Sequence, residues 1–240
     1  MPDGDATTLL PDLVYQSLRA QILRGALKPG QRLRQEELSR ELDVSRVPLR
    51  EAMTRLAADG LVELNPRRGY AVKSLKPSEI VEIFELRAVV EEHAGYRAAY
   101  ARTQQDVAEV ERLLQASEAI DLRSEESIES WSQYNYQFHA RIIASAGREH
   151  LARFAGLLRD TVEPYIRVEV NMTGDVEEAQ FDHRQLFTAY RDGDAPELAR
   201  LSREHVEHTA QRLLRGLRER QQSSDLSRRR KVQKRPFLAT

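Results

Sequence analysis

Six histidines and no cysteine decide what a metal ion could find in this 240-residue chain. Without thiols there is no disulfide, no cysteine nucleophile, no iron–sulfur cluster and no thiolate zinc site, so any metal must be held by imidazole and oxygen ligands. Three of the histidines have spacing that suits such a site. Asn135 and His139 stand at i and i+4 and share one face of a helix expected near 126–146. His183 lies nine residues before Asp192 and His205 ten residues after Ala195, with the Gly193-Asp194 turn between them. At about 1.5 Å per residue the two come level across an antiparallel helix pair. Two level histidines, with a third plus an amide one turn away, form a candidate divalent-metal site inside a bundle. Imidazole suits zinc, nickel, copper, iron or manganese, and nothing in the sequence chooses among them. His93, His150 and His208 read instead as hydrogen-bonded core residues, although His208 is close enough to His205 to support it from behind.

A second constellation is basic. Arg46 and Arg50 are four residues apart and project from one side of a helix start. Ser45 is a good N-cap there, and Pro48 sits in the first turn, where its missing N–H costs nothing. The unpaired amides and positive dipole of that end suit phosphate, while an arginine fork matches a guanine edge in the major groove. The period assigns Val47, Leu49, Met53, Leu56 and Leu61 to the inward face. Further on, Arg67 and Arg68 beside Gly69 crown a turn suited to a backbone or minor-groove contact.

The elements that must position these groups are mostly helical. Leu13, Leu18, Ile22 and Leu23 give a first helix its apolar stripe, which stops at Gly25 ahead of Pro29-Gly30. A second helix is expected over about 35–42 and a third over 45–59. The period then changes to two: Leu61-Val62-Glu63-Leu64 and Tyr70-Ala71-Val72-Lys73 flank a five-residue loop, 65–69, as a β-hairpin. Beyond Ser78 only helices are expected, near 78–101, 104–121, 126–146, 149–172, 178–192 and 195–221. The fold class is therefore mostly α. A winged helix-turn-helix of three helices and a two-stranded wing occupies 8–75, an all-helical bundle occupies 78–221, and a short linker, 73–78, joins them. Residues 222–240 read as a basic, disordered and solvated tail, with phosphate contacts from Arg228–Lys231, Lys234 and Arg235 as the alternative.

Charge follows the same partition. The formal net charge is −1, yet residues 1–75 carry +2, residues 76–222 carry −8 and residues 223–240 carry +5. An acidic middle repels phosphate, so a nucleic-acid role belongs to the ends. No stretch approaches 18 apolar residues, and the acidic Met1–Asp5 start lacks a signal sequence's apolar core. The expectation is a cytoplasmic protein with no membrane span.

The run Arg34-Gln35-Glu36-Glu37-Leu38-Ser39-Arg40-Glu41-Leu42-Asp43-Val44-Ser45-Arg46-Val47-Pro48-Leu49-Arg50-Glu51-Ala52, continued by Leu56, Gly60-Leu61-Val62 and Arg68-Gly69-Tyr70-Ala71-Val72, resembles the DNA-binding domain of GntR-family bacterial transcription regulators. The resemblance spans about 10–73 and implies that Arg34, Arg46, Arg50 and Gly69 touch DNA; with Ser45, Val47, Pro48 and Arg68 from the same helix start and wing, they form the expected DNA-facing set. One departure is Asp43, where the family usually has glycine. Asp tolerates the left-handed conformation better than most residues, so the turn is expected to survive. Downstream, Phe138-His139, Asp182-His183, Leu186-Phe187, Gly193-Asp194-Ala195 and His205, with Glu85-Leu86-Arg87 and Glu91 at the start, resemble the helical FCD effector domain of the FadR branch over about 78–217. That resemblance implies a divalent metal, such as zinc, nickel or manganese, on Asn135, His139, His183 and His205, and a small organic-acid effector at or beside it. Asn135 replaces the commoner Asp, which removes one negative charge from the ligand set. Arg87 is the candidate counter-ion for the effector, with an intrahelical pair to Glu91 as the alternative.

The leading expectation is a homodimeric regulator, with repression as the family's commoner mode, reading a two-fold operator in double-stranded DNA under effector control. A metal-dependent hydrolase or other metalloenzyme with a DNA-targeting domain is the rival. It lacks a well-placed general base: there is no His-Glu-x-x-His, and no Glu at helical spacing on the His139 face. A purely structural metal that staples the bundle is a third possibility.

Overall fold

The computed structural model describes the backbone of residues 10–173 and 176–233, and the side chains of 10–171 and 176–219. Among the described residues there are nine helices and three short strands. The order begins α1 (Leu10–Leu23), β1 (Arg32–Leu33), α2 (Gln35–Glu41), α3 (Arg46–Ala58), β2 (Val62–Asn65) and β3 (Gly69–Val72). The bundle follows as α4 (Pro77–Ala101), α5 (Gln104–Glu118), α6 (Glu125–Ala144), α7 (Glu149–Thr173), α8 (Glu177–Asp192) and α9 (Ala195–Gln233).

The first unit closes around Leu18, Ile22, Leu49, Met53, Leu56, Leu61 and Val72. Val14 takes the place in α1 expected of Leu13, which is 54% exposed, because a 3.6-residue period through Leu18 and Ile22 meets residue 14 and misses 13. Asp43 adopts φ 50°, the left-handed turn expected of it between α2 and α3. The wing carries a third strand that the hairpin pattern did not announce. Arg32–Leu33 pairs antiparallel with β3, giving the order β1-β3-β2, and buries Leu33 against the α1–α3 core. Two residues are too short for any period to reveal. The expected five-residue loop is tighter than it looked: Asn65 and Gly69 are themselves paired, leaving Pro66-Arg67-Arg68 as the tip.

In the second unit, α4 and α9 lie side by side as its backbone. Their close approach runs through Gly95, where a Cβ would sit 2.6 Å from the Ser202 hydroxyl and 3.1 Å from the Leu198 carbonyl. Apolar clusters fill both ends of the bundle, one around Phe138, Leu186, Tyr190 and Leu198, the other around Ile80, Phe84, Val162, Val206 and Leu213. At the α8–α9 hairpin, Gly193 closes α8 in the left-handed conformation, φ 77°. Asp194 caps α9, accepting from the Glu197 amide at 3.1 Å. The last helix does not stop at 221. It continues to Gln233, so Ser223-Ser224 and Arg228–Lys231 are helical where a disordered tail was expected. No Gly or Pro interrupts 217–235, and Arg, Lys and Gln are good helix formers, which explains the extension. The start at residue 8 and the basic pair Lys234-Arg235 lie outside the described residues.

Candidate functional site

Three helices bring the histidines together between the two apolar ends of the bundle. His139 comes from α6, His183 from α8 and His205 from α9, all buried. Their ring centroids form a near-equilateral triangle, 4.9 Å from 139 to 183, 4.7 Å from 139 to 205 and 4.9 Å from 183 to 205. One ligand atom from each lies within 4.8 Å of the others, and the Nε2 atoms of His139 and His183 are 3.1 Å apart. Asn135, one turn before His139, is buried and lines the same cavity of about 30 Å³. The sequence spacing thus brings all four expected ligands to one wall.

Burial sets the protonation of the triad. It pushes His139 and His183 well below the ordinary imidazole value, helped at His139 by the Arg159 charge and at His183 by His205. His205 is lowered by burial too, against the opposing pull of Asp182. Near neutral pH all three rings are therefore neutral, the form that donates a lone pair to a metal. Asp182 decides the tautomer of one of them. Its Oδ2 lies 3.2 Å from His205 Nδ1 and 3.2 Å from His208 Nδ1. Burial resists ionising Asp182, but its hydrogen bonds to those two imidazoles outweigh it and hold the carboxyl at about 2. His205 accordingly donates Nδ1–H outward and leaves Nε2 free for the cavity. Three convergent neutral imidazoles, an amide oxygen and an orienting carboxylate fit a divalent first-row metal ion.

Three arginines join the cavity wall, alongside Trp131, Glu169 and apolar side chains of α7 and α8. Arg87 and Arg159 approach the His139 side, and Arg212 the side of His183 and His205. Arg87 makes the intrahelical pair, Nε donating to Glu91 at 2.8 Å within α4, while its Nη1 is buried without an acceptor. Arg159 Nε and Trp131 Nε1 are likewise buried without an acceptor. Such orphaned donors are costly, and their convergence suits an anion. Arg159, Arg212, Trp131 and Asp182 were missed from the sequence as site residues. For Arg159 a signal existed, since it falls on the α7 stripe formed by Ala155, Val162 and Ile166, where a charge is out of place. Glu91 is the carboxylate the sequence did not place near His139 and His205. It is held by Arg87 at 2.8 Å and by Arg159 at 3.6 Å, so it serves as their anchor.

The other histidines are not core residues. His93, His150 and His208 are exposed, His93 and His150 beside a surface groove. His208 makes the outer bond to Asp182, 3.2 Å from Nδ1 to Oδ2.

Far from this cavity, the basic constellation sits on one exposed face. Ser45 has N-cap backbone angles, φ −70° and ψ 166°, but its hydroxyl makes no capping hydrogen bond. Arg46, Val47 and Arg50 point outward from the first turns of α3; Val47 is 57% exposed, which corrects its inward assignment. Pro48 is buried beneath them and shapes the helix start. Arg34 pairs with Glu37 at 2.7 Å and Arg46 with Glu36 at 2.6 Å, exposed bridges that phosphate readily replaces. Arg50 has no acid partner among the described residues. Arg68 and Gly69 are exposed at the wing tip, and Arg67 is held there at φ 64°.

A winged helix-turn-helix joined to a helical domain with a buried three-histidine cavity defines a class: a DNA-binding regulator with a sensor domain. The description "Bacterial regulatory proteins, gntR family" matches residues 11–72, and "FCD domain" matches residues 82–208. The chain belongs to the GntR family of transcription regulators, with an FCD domain as its second unit. It is 30% identical to the "HTH-type transcriptional repressor GlaR" of Escherichia coli over 200 residues, 80% of this chain and 90% of that one. It is 27% identical to the E. coli "HTH-type transcriptional repressor RspR" over 188 residues, 78% and 82% of the two chains. Among solved structures, E. coli McbR/YncC shares the fold at a TM-score of 0.76 and 24% identity, covering 86% of this chain and 98% of that one. These relatives are regulators, not enzymes, which removes the metalloenzyme reading. No described helix is long and apolar enough to cross a membrane.

Proposed function

We propose that this regulator is a cytoplasmic, homodimeric repressor acting on nucleoid DNA, whose operator binding is set by a small organic acid held beside a divalent metal in the FCD domain. The observation that carries the reading is the cavity itself: three buried neutral imidazoles within 4.8 Å of one another, faced by arginine and indole donors without acceptors. Asn135, His139, His183 and His205 would hold the ion. When bound, it supplies a Lewis-acid anchor for a carboxylate oxygen. Arg87, Arg159 and Arg212 balance the effector's charge, and Trp131 adds an N–H. A cavity of about 30 Å³ is little more than water-sized. An acid of several carbons therefore enters only by displacing wall side chains, which ties binding to movement. Names of the relatives GlaR and RspR support repression as the mode.

Dimerisation is supported by the outer face of α4. Leu86, Val89, His93, Tyr96 and Tyr100 alternate at spacings of three and four, the seam of a coiled coil, and all are exposed. Phe154 of α7 extends the patch, 55% exposed. A second copy packed on this seam brings two α3 helices to a two-fold operator.

Metal analysis of the purified protein, followed by chelation and a thermal melt with and without a panel of organic acids, tests the sensor half. The reading expects a bound divalent ion, and an acid that raises the melting temperature only in the metal-loaded protein. Loss of stability on chelation with no acid response would leave only a structural metal. No metal, and no response to any acid, would refute the sensor reading outright.

A further inference from the structure

We infer that the cluster of Arg19, Tyr136 and Asp160, built around the buried Asp160 carboxylate, is the contact through which the sensor cavity positions the DNA-binding domain, a role that rests on the metal reading above. Two adjacent pairs carry it, Asn135-Tyr136 on α6 and Arg159-Asp160 on α7. Successive residues of a helix point about 100° apart. The first member of each pair lines the cavity, and the second faces α1.

The second members meet Arg19 of α1. The Tyr136 hydroxyl donates to Asp160 Oδ1 at 2.8 Å and accepts from Arg19 Nη2 at 2.9 Å. Arg19 reaches Asp160 Oδ2 through Nε at 2.8 Å and Nη2 at 2.6 Å. Asp160 is 4% exposed, while Arg19 and Tyr136 are half-buried around it. The Tyr136 ring also ties the clamp to the cavity: the guanidinium of Arg159 lies 5.5 Å from its centroid and that of Arg19 lies 6.0 Å away. One aromatic ring is thus touched by a cavity arginine and by a DNA-domain arginine.

Other contacts at the junction do not reach the cavity residues. Arg24 and Arg167 approach the exposed carboxylate of Glu129 at 3.7 and 3.4 Å, and the Leu75 amide of the linker donates to the Tyr165 hydroxyl at 2.6 Å. The clamp also sits where α7 can yield. Pro164 offers no amide to the Asp160 carbonyl, so the helix lacks a hydrogen bond at that turn. Zn²⁺ drawn onto Asn135 and His139 pulls on α6 beside Tyr136, and its charge repels the Arg159 guanidinium against the tyrosine ring. The tyrosine hydroxyl, bonded to both partners of the Arg19–Asp160 ion pair, moves with them, and α1 follows.

Hydrogen exchange of α1 amides in the full-length protein, with Zn²⁺ alone as the probe, tests the inference. Zn²⁺ affinity is measured in parallel by calorimetry. In the wild type, Zn²⁺ is expected to change α1 exchange by about fivefold or more, the lower range for coupled sites. Tyr136→Phe keeps the ring and removes the hydroxyl; it is expected to bind Zn²⁺ as the wild type does while losing the α1 response. Arg19→Gln, which breaks the clamp from the other side and leaves the bundle intact, is expected to do the same. A full α1 response in both variants would overturn the coupling role and leave the metal reading standing. A wild type that binds Zn²⁺ without any α1 response would also overturn it. A wild type that binds no Zn²⁺ overturns the metal reading itself, and this one with it.

Discussion

Replacing Asp182 by asparagine keeps the shape of the side chain that holds His205 but removes its charge. In the wild type, one carboxylate oxygen faces both His205 Nδ1 and His208 Nδ1 at 3.2 Å. An asparagine oxygen at that place still faces both N–H groups, but as a neutral acceptor it holds each more weakly. The carboxylate behind a metal-binding imidazole fixes the tautomer and raises ligand basicity, and losing it typically costs about 10- to 100-fold in metal affinity. That range is about 1.4–2.8 kcal/mol. The loss should be steady from about pH 5 upward, because Asp182, with its carboxyl at about 2, stays ionised over that whole range. His208→Ala, which deletes only the exposed outer bond, should cost much less. A competition titration of Zn²⁺ against a chromogenic chelator at pH 7 reads all three proteins. Wild-type affinity in Asp182→Asn, or a larger loss in His208→Ala, would refute the assignment of Asp182 as the group that orients His205.

Arg50→Ala removes an outward guanidinium with no acid partner among the described residues, so little stability should change, while operator affinity falls by about 1–3 kcal/mol and discrimination relaxes at one base pair. Fluorescence anisotropy on matched and mutated operators measures both. Arg67→Gly relieves a non-glycine residue at φ 64° and should raise stability by about 1 kcal/mol in a denaturant titration, while the slope of DNA affinity against salt falls by about one. Gly193→Ala forces a Cβ into the left-handed conformation and against the Arg102 guanidinium, whose Nη2 donates to the Arg191 carbonyl at 2.9 Å. It should cost about 1–2 kcal/mol and, by shifting the α8–α9 hairpin, weaken Zn²⁺ binding as well. Metal-free protein should lose stability as pH falls below about 6.5. Burial lowers all three triad imidazoles, so the unfolded chain takes up protons first; the stability present above that pH drains away beneath it. Melts between pH 5 and 8 in chelator check this sign.

What the sequence made legible was whatever rests on period and turn chemistry. His183 and His205 come level because two regular helices meet at a glycine-closed hairpin, and helix rise alone computes that. Asn135 and His139 share a face for the same reason. Asp43 takes the left-handed turn that its side chain tolerates. What stayed hidden depends on packing across helices. Arg159 and Arg212 enter the cavity from α7 and α9, and no local spacing says which helix faces which. Val47 was misassigned because it stands two residues before Leu49, on the side of α3 opposite the buried Leu49, Met53 and Leu56. His93 and His150 look like core residues by type and are exposed, beside the α4 seam. The strand Arg32–Leu33 is defined only by its pairing partner, and the long α9 only by the lack of anything to stop it.

The most direct measurement is an anisotropy titration of DNA from the chain's own locus, at fixed moderate salt, with metal-loaded protein, chelated protein and metal-loaded protein plus the acid that most raises its melting temperature. The account predicts sequence-specific binding at least about 10³-fold tighter than to random DNA. It also predicts an affinity that changes by about 5- to 150-fold when that acid is added to the metal-loaded protein and does not change when it is added after chelation. Binding equal to that of random DNA, or specific binding indifferent to metal and acid alike, would contradict it.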